Sequence, residues 1–114
     1  MEFRAVNIRR EAYDIYCGRA GHGKDGKWGN PVVIGRKCPE CGKTHMDAGS
    51  TIPCYTRYLV RMLEDLDFRT EFNHLRSLAK ALKRPLKLGC FCVKADGSGA
   101  CHTKVMIEFL KGDV

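Results

Sequence analysis

The stretch LKLGCFC, residues 86–92, decides the fold that this sequence predicts. Apolar residues and cysteines dominate it, and Pro85 separates it from a helical pattern on its N-terminal side. A short apolar run bounded in this way indicates a strand, and we expect it to be central in a sheet. The glycine-containing segment VKADGSGA then leads to another helical pattern, so the strand lies between helices in the chain.

Helical periodicity marks three segments around this strand. The first begins near Ser50 or Thr51, either of which could cap it, and contains Pro53 in its first turn. The second ends before Pro85, and the third begins at about His102. The apolar positions of the first segment are Tyr55, Tyr58, Leu59, Met62, Leu63 and Leu66.

The N-terminal part of the chain predicts strands. Residues 3–8 alternate apolar and polar side chains, and residues 14–17 (DIYC) form a second short apolar segment beyond a charged turn. This pattern favours a hairpin formed by these two segments. A further brief strand is predicted at residues 32–34. The order of elements predicts a single α/β domain over residues 1–114. It would contain a short mixed sheet, about three packed helices and a Cys/His zinc knuckle at residues 36–54.

Composition narrows the class of protein. The 114 residues are 44% hydrophobic and 29% charged, as in ordinary globular proteins, and the net charge of +7 favours polyanionic partners. No apolar run approaches the roughly 18 residues of a membrane helix, and residues 1–14 lack the apolar centre of a secretory signal. We therefore expect a cytoplasmic protein without a membrane partner. Seven cysteines in such a compartment favour a metal over a disulfide framework.

The first candidate metal cluster is contained in CPECGKTH, residues 38–45. A C-x2-C pair followed by glycine is typical of a zinc knuckle, in which a tight turn supplies two thiolates. His45 and Cys54 complete four ligands with Cys38 and Cys41. Cys54 is expected in the first turn of the first helix, where the helix dipole favours a thiolate. The alternative is that Cys54 is a small core residue.

A second cluster follows the central strand. Cys90 and Cys92 lie two residues apart, and Cys101 and His102 lie at the start of the last helix. These four residues are a candidate second zinc site. Two alternatives stay open: a catalytic or ligand-binding role, for which Cys101 and His102 are candidates, and simple packing of Cys90 and Cys92 against the core.

A basic, glycine-rich segment, GRAGHGKDGKWGNP at residues 18–31, predicts a loop. Its glycines would let backbone amides approach a phosphate, although the spacing fits neither the P-loop nor the dinucleotide-binding motif. Trp28 would either stack on a ligand or anchor the loop to the core. The candidate nucleic-acid or nucleotide contacts are Arg19, Lys24, Lys27, Trp28, Asn30, Arg36 and Lys37.

Four segments together resemble a phage and bacterial family catalogued as domain of unknown function 4326. They are VNIRREAYDIYCGRA, KWGNP, GSTIPCYTRYL and LGCFC with CHTKVMIEFL. The usual family pattern is Tyr-x-Gly-Arg-Gly, Trp-Gly-Asn-Pro, Leu-Gly-Cys-Trp-Cys and Cys-His-Gly. This sequence departs from it at Ala20, Phe91 and Thr103, and by inserting the knuckle at residues 38–45.

The resemblance implies a compact α/β fold and a phage origin. It also implies that the residues at the matched positions form one site: Arg19, Asn30, Cys90, Cys92, Cys101 and His102.

Three functions are compatible with these features. The leading hypothesis is a zinc protein that engages nucleic acid or a nucleotide through the basic loop and the second cluster. The second is an enzyme acting on nucleotides or modified bases, with catalytic candidates Cys101, His102, Arg19 and Asn30. The third is a phage-type interaction protein that inhibits a host protein.

Overall fold

A computed structural model describes residues 2–18, 26–90 and 101–112. Arg19, Lys24 and Cys92, which the sequence singles out, lie outside the described residues. The three predicted helices and the α/β order are confirmed. The elements are β1 (Phe3–Asn7), β2 (Ile15–Tyr16), α1 (Ala48–Met62), α2 (Leu66–Ala81), β3 (Leu86–Cys90) and α3 (His102–Lys111).

The sheet has the order β1-β3-β2, so the expected central position of β3 is confirmed. Both outer strands run parallel to β3, with Phe3 opposite Leu86 and Asn7 opposite Cys90. The predicted hairpin is therefore wrong: β1 and β2 do not pair with each other, and the described sheet is parallel rather than mixed.

The connection between β1 and β2 explains this difference. Residues 8–14 pass over β3, held by Ile8 N donating to Cys90 O at 3.2 Å and Asp14 N donating to Lys87 O at 2.9 Å. A Cβ on Gly89 would lie 2.5 Å from Ile8 Cγ2 and 2.7 Å from Tyr13 Cβ. The chain can cross the central strand at this point because residue 89 has no side chain.

The two faces of the sheet are covered differently. Along β3, side-chain alternation directs Leu86, Leu88 and Cys90 to the face that joins the main core cluster. Lys87 and Gly89 point to the opposite face, which the connection 8–14 covers. The helices contribute the largest buried side chains of this core, among them Leu59, Tyr55, Phe72, Met106 and Leu110.

The helix boundaries differ from the prediction at two points. Asp47, rather than Ser50 or Thr51, caps α1 by accepting from Ser50 N at 2.7 Å. Leu66 begins α2 instead of continuing the first helix, and its side chain is 66% exposed. No strand forms at residues 32–34, where Val32 packs in a small separate core with Cys38 and Cys54. None of the described helices is both long and apolar enough to cross a membrane.

Candidate metal centre and the carboxyl edge of the sheet

Three side chains of the first cluster lie on a hairpin, residues 35–45. A bridge between Lys37 and Thr44 and the 2.8 Å bond from Cys38 N to Lys43 O hold its two arms together. At its turn, Gly42 N donates to Cys38 O at 2.9 Å, and Gly42 has a φ of 76° that favours glycine. This tight turn holds Cys38 and Cys41 at the same end of the hairpin.

The first cluster is completed by Cys54 from α1. The ligand atoms of Cys38, Cys41, His45 and Cys54 all lie within 4.8 Å of one another. His45 Nε2 is 3.4 Å from both Cys41 Sγ and Cys54 Sγ. Two bonds of about 2.3 Å and 2.0 Å at a tetrahedral angle would separate sulfur from nitrogen by roughly 3.5 Å. These residues can therefore hold a metal ion in a tetrahedral arrangement.

The imidazole of His45 is held in a suitable orientation. Its Nδ1 lies 3.1 Å from Ser50 Oγ, in the first turn of α1. A proton on Nδ1 donates to this hydroxyl and leaves the lone pair of Nε2 facing the two sulfurs. Partners of this kind fix the tautomer of histidine ligands in metal sites.

Polar groups donate to two of the sulfurs, and at Cys38 they favour the thiolate. Glu40 N donates to Cys38 Sγ at 3.3 Å, and Arg57 Nη2 donates to Cys54 Sγ at 3.3 Å. Burial raises the pKa of Cys38, but the backbone amides of Cys41 and Glu40 outweigh it and hold that pKa at about 6. Burial raises the pKa of Cys54. Cys54 lies in the second turn of α1 and not the first, so Arg57 replaces the expected helix dipole as its nearby positive group.

A bidentate ion pair connects the hairpin to α1. Arg61 donates from Nη2 to Glu40 Oε1 at 2.5 Å and from Nη1 to Glu40 Oε2 at 2.9 Å. Two positions on one side of α1, residues 54 and 61, thus contact the hairpin. The first cluster joins the hairpin to α1, and the buried apolar cluster at this point is small, consisting of Val32, Cys38 and Cys54.

The described residues of the second cluster, Cys90, Cys101 and His102, are buried. Cys90 Sγ is 2.8 Å from Cys101 Sγ, and Thr103 Oγ1 is 2.9 Å from Cys101 Sγ. The buried imidazole of His102 donates from Nε2 to Cys17 O at 2.5 Å and packs edge-on against Tyr55. Among the described residues, only the first cluster brings three or more metal-binding side chains together. The second zinc site, which includes Cys92, stays a prediction.

The described residues of the glycine-rich segment are tied into the fold. Trp28 packs against Phe68, with ring centroids 5.1 Å apart, and against Phe72 at 5.9 Å. Asn30 donates from Nδ2 to Thr51 Oγ1 at 3.2 Å and accepts from Val32 N at 2.9 Å. Of the two roles predicted for Trp28, the structure supports anchoring to the core.

The basic candidates divide into two groups. Lys27 forms an ion pair with Glu71 on α2. Arg36 and Lys37 are exposed on the hairpin, far along the chain from the second cluster.

The carboxyl edge of the sheet, where Asn7, Tyr16 and Cys90 end the three parallel strands, brings the sequence motifs together. A Cβ on Gly29 would lie 2.7 Å from Gly18 O, so the backbones of YCG and WGN are in contact there. The start of α3 reaches the same edge through the contacts of His102 with Cys17 and of Cys101 with Cys90.

A family model described as Domain of unknown function (DUF4326) matches residues 3–112. The chain belongs to this family. No curated protein and no solved structure matches the chain. The segments YCG, WGN, LGC and CHT, which carry the resemblance to the family, meet at the carboxyl edge, whereas Cys38, Cys41 and His45 of the first cluster lie on the hairpin at residues 35–45.

Sequence reasoning missed three groups around these sites. Ser50 and Arg57 support the first cluster, but an ordinary helix surface contains the same residue types. Cys17 has a buried free thiol, and burial together with the neighbouring Cys90 raises its pKa. The apolar neighbours of Cys17 in DIYC could have indicated this burial.

Proposed function

We propose that the first cluster binds one Zn²⁺ and that this ion is structural. The donor set supports the proposal: three thiolates and one imidazole suit a borderline-soft ion and fill a tetrahedron without an open position for substrate. The surrounding fold supports it too, since a hairpin with almost no core of its own gains a bond to α1 through Cys54. Bound zinc would therefore order residues 35–45 and hold them against α1.

Metal analysis of the purified protein tests this proposal. We expect one zinc per chain in the wild type, none in Cys38→Ser or Cys54→Ser, and one in the control Cys17→Ala, which removes a thiol outside the cluster. Replacement by Co²⁺ should give thiolate-to-cobalt absorption that Cys38→Ser weakens. A wild-type protein that takes up neither ion would overturn the proposal.

We further propose that the carboxyl edge binds nucleic acid or a nucleotide. The observation that carries this is the meeting of the family segments at the edge, since ligands of open parallel sheets bind beyond the carboxyl ends of the strands. The net charge of +7 and the Arg19 position directly after Gly18 add electrostatic attraction for phosphate. Arg19 and Lys24 would supply the contact with phosphate. Trp28 and Asn30 would support the edge through their packing on the core and their hydrogen bond to α1.

The binding test uses a labelled single-stranded oligonucleotide and an unlabelled mononucleotide competitor. Affinity for the polymer should fall as salt rises. A plot of the logarithm of the association constant against the logarithm of the salt concentration should have a slope of about −0.7 for each phosphate neutralised. Arg19→Gln should weaken binding, and Lys80→Gln, on the exposed side of α2, is the matched control. Absence of binding to DNA, RNA and mononucleotide at low salt would overturn the proposal.

The enzyme alternative gains no support from the second cluster. Cys101 and His102 are 3% and 6% exposed, and the imidazole already donates to Cys17 O. The thiols of the first cluster must stay reduced to bind zinc, so we place the protein in the cytoplasm as part of this proposal. A host partner protein and a phage origin remain part of the third hypothesis, for which a nuclease-insensitive co-purification is the test.

A further inference from the structure

Two tyrosines lie together on the face of the sheet opposite the helices. Ile15 and Cys17 point to the core from β2 and its end, so alternation directs Tyr16 to the other face. Tyr13, on the connection that crosses β3, lies over Gly89. The centroids of the Tyr13 and Tyr16 rings are 6.2 Å apart, with an angle of 51° between the ring planes.

This tyrosine pair reaches the carboxyl edge. The Tyr16 ring folds over Gly18, where a Cβ would lie 2.5 Å from the Tyr16 hydroxyl oxygen. Both tyrosine side chains are half-buried. Trp28, in contrast, packs against two phenylalanines of the core. Tyr13 and Tyr16 pack against each other instead, and part of each side chain is exposed at this edge.

Positive charge lies at the end of β1, the other outer strand of the sheet. Arg9 and Arg10 are exposed in the turn that follows β1, which Arg10 N closes by donating to Asn7 O at 3.0 Å. Because β1 and β2 are both parallel to β3, this turn and the end of β2 lie at the same edge. Aromatic rings beside arginines are the combination that binds a base and its phosphate.

We propose that Tyr13 and Tyr16 form the stacking surface for a nucleobase, with Arg9 and Arg10 as contacts for the adjoining phosphate. This inference rests on the proposed binding of nucleic acid or nucleotide, and it names the groups that contact the base. The ligand chemistry, a base with a neighbouring phosphate, is common to a free nucleotide and to a single strand. The rings stack on any base, so the site has little sequence preference.

Binding of a fluorescein-labelled oligothymidylate and of GMP tests the inference. Tyr13→Leu and Tyr16→Leu should each weaken binding of the probe by roughly 10-fold, as expected for the loss of one stacking contact. Tyr16→Phe should bind like the wild type because the ring remains. Tyr58→Leu, which removes a half-buried tyrosine of α1, is the matched control and should leave affinity unchanged. Arg10→Gln should lower the salt dependence for the oligonucleotide.

Nitration of the wild-type protein provides a second test that does not depend on the folding of variants. Bound probe should protect Tyr13 and Tyr16 from tetranitromethane and leave Tyr58 as reactive as before. If GMP protects the two tyrosines from nitration, or if the leucine variants bind GMP more weakly, a free nucleotide is a sufficient ligand. If these effects are seen with the oligonucleotide alone, the ligand is a polymer.

The outcomes separate the two proposals. A wild-type protein that binds neither probe overturns both of them. Binding that Tyr13→Leu and Tyr16→Leu leave unchanged, or that leaves both tyrosines reactive, overturns only the assignment of the stacking surface.

Discussion

Asn30 of the Trp-Gly-Asn-Pro segment donates from Nδ2 to Thr51 Oγ1 over 3.2 Å, and Thr51 precedes Cys54 by one helical turn on α1. The residue after Cys54 is Tyr55, whose ring packs against His102 at a centroid distance of 5.0 Å. The first turns of α1 therefore contact the first cluster on one side and two segments of the carboxyl edge on the other. The first cluster and the edge are thus connected through this helix, and any metal bound at the cluster would be linked to the edge by the same contacts.

The first prediction concerns removal of the metal. With a chelator present, we expect faster hydrogen exchange in residues 35–45 and also in residues 26–32 and the first turns of α1, because Cys54 no longer fixes the helix. Hydrogen exchange read by mass spectrometry measures this, with β1 and β3 as the internal reference. Cys38→Ser should give the same pattern without a chelator. Faster exchange confined to the hairpin would show that the edge is independent of the metal.

The second prediction concerns acid. Asp14 accepts from Arg84 Nη1 and from Lys87 N, each at 2.8 Å, and these contacts, that with Arg84 foremost, lower its pKa from 3.8 to about 2. A carboxyl whose pKa is lowered by folding stabilises the protein above its unfolded pKa, and this contribution is lost as pH falls towards 2. Asp14→Asn should cost about 1 kcal/mol of unfolding free energy at neutral pH.

The pH dependence of that difference is the control. Urea unfolding of wild type and Asp14→Asn should give a gap that is constant above about pH 5 and narrows as the wild-type carboxylate is protonated. A gap of the same size at pH 7 and at pH 3 would contradict an ionic contribution from Asp14.

The third prediction concerns the C-terminal end of α3. Arg76 on α2 donates from Nε to Leu110 O at 2.9 Å and from Nη2 to Phe109 O at 2.8 Å. These carbonyls belong to the last turn of α3, whose acceptors lack partners within the helix. Arg76→Ala should lower the unfolding free energy by about 2 kcal/mol, measured in urea. Lys80→Ala, one turn further along α2 and exposed, should change it by less than about 0.5 kcal/mol.

The sequence predicted the local features of this protein and missed those that depend on distant contacts. Helical periodicity identified α1, α2 and α3, and the C-x2-C spacing identified the first cluster, because each signal lies within a few residues. The contact of Arg76 with the end of α3 could not be predicted in this way, since nothing near Arg76 in the sequence shows that α3 ends beside it. Trp28 had two roles from sequence, and only its packing on Phe68 and Phe72 favours one.

The strand pairing was wrong for the same reason. A charged turn between two short strands is the usual sign of a hairpin, and residues 8–14 have that composition. The parallel arrangement depends on Gly89, about eighty residues further along the chain, where the absence of a side chain leaves room for the crossing. In the sequence, this glycine indicates only a residue that weakens an apolar strand.

The last prediction tests this account of the crossing. In Gly89→Ala the new methyl group would lie 2.5 Å from Ile8 Cγ2 and 2.7 Å from both Cβ and Cγ of Tyr13, so the connection must move away from β3. We expect a loss of about 2 kcal/mol in unfolding free energy, together with increased exposure of Tyr13 to nitration. Gly49→Ala in α1 is the control, because its Cβ would meet only Asp47 Oδ1 at 3.7 Å. That variant should be as stable as the wild type or more so, since alanine favours helix. Equal stability of Gly89→Ala and wild type would mean that the connection tolerates a side chain beneath it, and the parallel pairing of β2 would then need another cause.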